Sequence, residues 1–105
     1  MSEKISTNQE IINVKLLEDN GTDIMLFYIP GEENGISVNL NETSGQKDLK
    51  NVFGRILKIL NTKDVVLELN IDKLYKKGLY KEVCQEYISD LNEEIKEVRE
   101  EIKNL

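Results

Sequence analysis

Asn20 and Gly21 form the dipeptide best suited to a two-residue hairpin turn, because both accept the positive φ that such a turn demands. Runs with strand character flank the pair, Glu10 to Glu18 before it and Asp23 to Ile29 after it. A turn this short leaves no freedom of register: Leu17 must face Ile24, Lys15 must face Leu26, and Asn13 must face Tyr28. That register gathers Ile12, Val14, Leu16, Met25, Phe27 and Ile29 on one face, all apolar. The other face mixes Asn13 and Lys15 with Ile11, Leu17, Leu26 and Tyr28, which predicts partial cover. Turn chemistry and apolar patterning select the same pairing, so the hairpin is over-determined.

The rest of the chain follows by periodicity. Pro30-Gly31 ends the second strand, since proline cannot donate to a ladder and glycine turns easily. A second Asn-Gly, Asn34-Gly35, precedes Ile36, Val38 and Leu40, which alternate with Ser37 and Asn39 as a third strand. Thr43 and Gln46 have capping-box spacing, with Ser44 competing for the cap. Leu49, Val52, Phe53, Ile56, Leu57 and Leu60 then form one helical stripe, with Asn61 as its stop. Gly54 interrupts that helix at a cost of about 1 kcal/mol against alanine, and either admits another element closely or is merely tolerated. Val65, Leu67, Leu69 and Ile71 mark a fourth strand, Asp72 to Lys77 a single helical turn ended by Gly78, and Leu79 the start of a long helix.

The expected fold is therefore α+β in the order β-β-β-α-β-α: a three-stranded antiparallel meander, a crossover helix, a fourth strand and a long C-terminal helix. A right-handed crossover would set the fourth strand parallel to the third. Residues 1–9 read as a disordered N-terminal arm, and 10–105 as one domain from which helix 79–105 projects.

That last helix carries an unbroken four-three spacing of Cys84, Ile88, Leu91, Ile95, Val98, Ile102 and Leu105. Isoleucine at a with leucine-like residues at d is what a parallel two-stranded coiled coil prefers. A helix of about 26 residues spans roughly 39 Å, against roughly 23 Å for a seven-residue strand, so its end should overhang the sheet. Ile88, Leu91, Ile95, Val98, Ile102 and Leu105 are thus read as an interface with a second copy or with another protein helix. In a parallel pair Glu94 would meet Arg99 of the other chain, whereas in an antiparallel pair Glu94 and Glu101 would face their own counterparts. Packing on the chain's own domain is the competing expectation, because periods of 3.5 and 3.6 diverge by only about 20° per heptad.

Composition narrows the chemistry. The 105 residues contain no histidine and no tryptophan, so Ser–His and Cys–His nucleophile pairs are excluded. The one cysteine, Cys84, reads as a buried apolar thiol, and with it a reducing, cytoplasmic setting is expected. No stretch approaches the roughly 18 apolar residues of a membrane span, and Met1 to Asn8 lack the pattern of a signal peptide. No phosphate loop, dinucleotide fingerprint or calcium loop is present, so neither a cofactor nor a metal is expected, and the reading points away from an enzyme. The absence of alanine, with abundant asparagine and isoleucine, suggests an AT-rich genome such as that of a low-GC bacterium or its phage.

The net charge of −6 is unevenly spread. Residues 1–45 carry two basic and eight acidic side chains, residues 46–81 nine and four, and residues 82–105 three and eight. The expected function is a non-catalytic, acidic protein-interaction module, dimeric through its C-terminal helix. A small inhibitor, or an immunity- or antitoxin-like protein acting on a nucleic-acid-handling target, has this profile, since carboxylates can occupy positions where a target expects phosphates. The alternative is phosphate or nucleic-acid binding by the basic middle, through Lys73, Lys76, Lys77 and Lys81 with Tyr75 and Tyr80 interleaved.

Overall fold

The computed structural model describes residues 9–31, 33–42, 44–76 and 78–105. Strands β1 (Gln9–Asp19), β2 (Thr22–Tyr28) and β3 (Ile36–Asn39) form the meander. Helix α1 (Ser44–Leu60), strand β4 (Asp64–Ile71) and helix α2 (Gly78–Lys103) follow, giving the α+β order expected. Thr43, the proposed capping residue, lies outside the described residues, as does Lys77. Gln9 is the first residue of β1 and no part of an arm; residues 1–8 lie outside the description.

The hairpin has the register its turn dictates: Leu17 pairs with Ile24, Lys15 with Leu26 and Asn13 with Tyr28. Asn20 and Gly21 adopt φ of 51° and 79°. Ile12, Val14, Leu16, Met25, Phe27 and Ile29 are all buried, so the face named by alternation is the core face. β3 adds Val38 opposite Met25.

The sheet order is β3-β2-β1-β4. β4 runs in the same direction as β3, but it does not lie beside it. It pairs in parallel with β1 across the whole of Gln9 to Leu16, at the opposite edge. The reason lies in the strands' lengths. β3 offers only four residues of free edge, whereas β1 offers eight unpaired positions whose N–H and C=O groups need partners.

Both helices run opposite to β4. In α1, Val52, Ile56 and Leu60 are buried against the sheet, with Leu49, Phe53 and Leu57 partly buried along one flank. Gly45, in its first turn, sits against the Asn39 carbonyl at the end of β3, where a Cβ atom would collide with that oxygen. α2 lies beside α1 on the same face of the sheet. Its Asn92 side chain accepts from the Leu67 N–H at 2.8 Å and donates to the Leu67 C=O at 3.0 Å, covering part of the free edge of β4.

The segment before α2 departs from expectation. Residues 72–75 make a β-turn, not a helical turn, closed by Tyr75 N–H to Asp72 C=O at 2.9 Å. The Asp72 carboxylate takes the Leu74 N–H at 2.8 Å and stands 3.4 Å from Lys15 Nζ. The Leu74 amide, and then Lys15, hold its pKa below the usual carboxylate value. Gly78 opens α2 and does not close what precedes it.

The two glycines of α1 should therefore answer oppositely to the same substitution. Gly45→Ala should lower the urea-unfolding free energy by about 1–3 kcal/mol, since the Asn39 carbonyl lies in rigid backbone. Gly54→Ala, with nothing within 4 Å of the added carbon, should raise it by about 1 kcal/mol. Equal effects at both positions would contradict the close approach at Gly45.

Candidate docking groove

The stripe that suggested a coiled-coil seam is largely consumed inside the domain. Cys84, Ile88, Leu91 and Ile95 are buried in the core, and Val98 and Ile102 are partly buried against it. Only Leu105 is fully exposed. Arg99, expected to reach Glu94 of another chain, instead bonds the chain's own Asp64 through Nε at 2.9 Å. Its guanidinium also donates to the Leu60 carbonyl at the C-terminal end of α1, where a cation opposes the helix dipole. Lys103 adds a second cation, 3.7 Å from Asp64.

The overhang disappears for a geometric reason. β1 has eleven residues and so spans about 36 Å, close to the roughly 39 Å of α2. The turn after α1 extends the platform under the last helical residues. Of the residues expected to form a seam, Ile88, Leu91, Ile95, Val98, Ile102 and Arg99 pack or bond within the domain, while Leu105 stands exposed.

The basic middle is likewise rearranged. Lys73 and Lys76 are exposed and Lys81 is half-buried, while Lys77 lies outside the described residues. Tyr75, expected as a stacking platform, is 2% exposed and belongs to the core. Tyr80 also packs against the core, in part. Of the two tyrosines interleaved with the loop lysines, Tyr75 is withdrawn from base stacking and Tyr80 is only partly exposed.

Tyr75 ends in a buried polar cluster at the hairpin end of the sheet. Asp23 holds a core-face position of β2 and is fully buried. Its N–H donates to Asn41 Oδ1 at 2.6 Å, and its C=O accepts from Leu40 N–H at 2.8 Å. Burial first, and then the adjacent Asp23 carboxylate, raise the Tyr75 phenol well above its ordinary pKa. The same two causes push the Cys84 thiol up to about 11. Nothing here is an activated nucleophile, because nucleophilic attack needs the thiolate and this site disfavours it.

Among the described residues, a groove of about 390 Å³ lies open between α1 and α2. Leu49, Phe53 and Leu57, at i, i+4 and i+8, line one wall; Tyr87 and Leu91 line the other. Val83, half-exposed and one turn before Tyr87, continues the second wall. Gly54 stands at the lip, exposed and with open space where a side chain would be. Lys50 and Glu94 edge the groove on opposite sides. Burial, with Glu94 adding to it, raises the Tyr87 phenol.

Two other openings are less suited to a ligand. The cleft between β4 and the end of α2 is lined by Asp64, Asn92, Arg99 and Lys103, whose polar groups already pair with the domain. The bare face of the sheet exposes Ile11 and Tyr28, but Asn13, Lys15, Glu68 and Asn70 interrupt its apolar surface.

Among the described residues, no group of three or more cysteine and carboxylate side chains is arranged to hold a metal ion. No helix among them is long and apolar enough to cross a membrane. Compared with protein-family models, with curated proteins and with solved structures, the chain finds no match.

The thiol at Cys84 reports on this packing. It should react slowly with a thiol reagent in the native state and rapidly in urea. Because the folded chain holds the proton more tightly, it binds more protons than the unfolded chain above the ordinary thiol pKa of 9.0. Stability should therefore fall as pH rises from that value toward about 11, and Cys84→Ala should flatten part of this slope. Rapid native labelling at neutral pH would place Cys84 outside the core.

Proposed function

We propose that the chain is a non-catalytic protein-interaction module that docks an amphipathic helix in the groove between α1 and α2. The observation that carries this reading is the groove itself: an apolar trough between two rigid helices, with a glycine at its lip. Burying apolar surface there contributes about 25 cal/mol per Å², and helices seated this way present anchors at i, i+3, i+4 and i+7. The charge pattern supplies orientation. α1 carries four basic residues against one acidic, and α2 eight acidic against four basic, so the trough has one positive and one negative bank. A helix with apolar residues on one face, acidic residues along one flank and basic residues along the other complements both banks.

A displayed library of helical peptides selected against the intact protein tests this. The selected peptides should share that three-part pattern and should shift the NMR signals of Leu49, Phe53, Leu57, Tyr87 and Leu91. Gly54→Gln, which fills the open lip without touching the core, should weaken them at least tenfold while leaving the unfolding free energy undiminished. Peptides that map to the sheet face, or that bind the glutamine variant equally well, would reject the groove as the docking surface.

A further inference from the structure

We infer that this two-helix surface also pairs with a second copy of the same chain, laying its groove against the groove of that copy, an inference that rests on the groove reading above. The outward faces of the two helices are opposite in charge. On α1, Lys47 and Lys58 point outward, with exposed Lys50 toward the groove; on α2, Glu86, Asp90 and Glu97 occupy the outward positions, all exposed. These residues fall at i, i+4 and i+11 in α2, and Lys47, Gly54 and Lys58 fall at i, i+7 and i+11 in α1, so each set follows one helical face.

One two-fold arrangement uses this asymmetry fully. α1 and α2 both run opposite to β4, and Arg99 joins their C-terminal ends, so they lie side by side in the same direction. An axis parallel to them, above the groove, stacks α1 of each copy on α2 of the other. The basic face then meets the acidic face twice, and the two apolar troughs face each other across the axis. An axis at right angles would stack α1 on α1 and α2 on α2, opposing like charges throughout. A two-fold contact is self-complementary, so a single surface carrying both signs suffices.

The size agrees with this arrangement. Over the roughly 26 Å that α1 spans beside α2, the two helices, together about 20 Å wide, cover roughly 500 Å² per copy, or about 1,000 Å² in all. That is the lower limit for a specific interface, and with oppositely charged faces the association depends on salt. Gly54 acquires a role in it, since a bare lip lets the partner's side chains enter the trough.

Charge-swap complementation tests the arrangement. The intact chain should sediment at twice its 12.1 kDa mass at submillimolar concentration, returning toward monomer as salt rises. Lys47→Glu with Lys50→Glu and Lys58→Glu should abolish self-association, as should Glu86→Lys with Asp90→Lys and Glu97→Lys. Each variant's far-UV circular dichroism should be unchanged, because all six side chains are exposed. Mixed one to one, the two variants should form a heterodimer, since the acidic α1 of one then meets the basic α2 of the other. Failure of the mixture to associate overturns the inference, as does either variant remaining dimeric alone. A monomeric wild-type chain that still binds the selected helical peptides overturns self-pairing and leaves the groove reading intact; one that does neither overturns both.

Discussion

Strand β1 is the member on which every other element of this domain depends. It is paired on both sides, antiparallel to β2 through the Asn20-Gly21 turn and parallel to β4 through the crossover. Its alternate residues Ile12, Val14 and Leu16 are completely buried. A strand in that position satisfies its backbone through two ladders and contributes its apolar face to the centre of the core. Losing it would separate the hairpin from β4, and with β4 the strand whose edge anchors α2.

The contacts that hold α2 show how an interior can claim a surface that looks made for another protein. Asn92 engages the free edge of β4, Arg99 ties Asp64 to the end of α1, and Ile88, Leu91 and Ile95 fill the space between. Arg99 has a double effect there, pairing a carboxylate and supplying a cation at a helix C-terminus. Through the Leu60 carbonyl it also ties α2 to the C-terminal end of α1. The apolar flank of each helix that is not needed by the sheet is what lines that groove. Phe53 and Tyr87 are therefore shared between core and surface, each half-buried along the groove.

At the hairpin end, the domain tolerates a wholly buried carboxylate at Asp23, beneath Tyr75 and near Cys84. The Asn41 side chain, accepting from the Asp23 N–H, and the Leu40 N–H, donating to the Asp23 C=O, brace this point and join β2 to the turn that follows β3. The cluster explains why Tyr75 is drawn inward from a loop otherwise made of exposed lysines. Burial of the large Tyr75 ring removes apolar surface from water, and it competes with exposure of the ring for stacking.

The amino-acid sequence by itself determined the local structure: the hairpin and its register, the core face of the meander, the β-β-β-α-β-α order and the amphipathic character of both helices. Each of these follows from interactions between residues close in the chain, where turn chemistry and periodicity act directly. The partner of β4, the fate of the C-terminal stripe and the placing of Tyr75 were settled only by the tertiary structure. A four-three spacing specifies that a helix has an apolar stripe but not what covers it, since a sheet and a second helix offer equivalent surfaces. The eleven-residue span of β1, the short edge of β3 and the reach of Arg99 to Asp64 across 35 positions decided among them. The groove was legible only as Gly54 and the flanking Leu49, Phe53 and Leu57 of α1. Its second wall, Tyr87 and Leu91, stands opposite solely because the crossover lays α1 and α2 side by side on one face of the sheet.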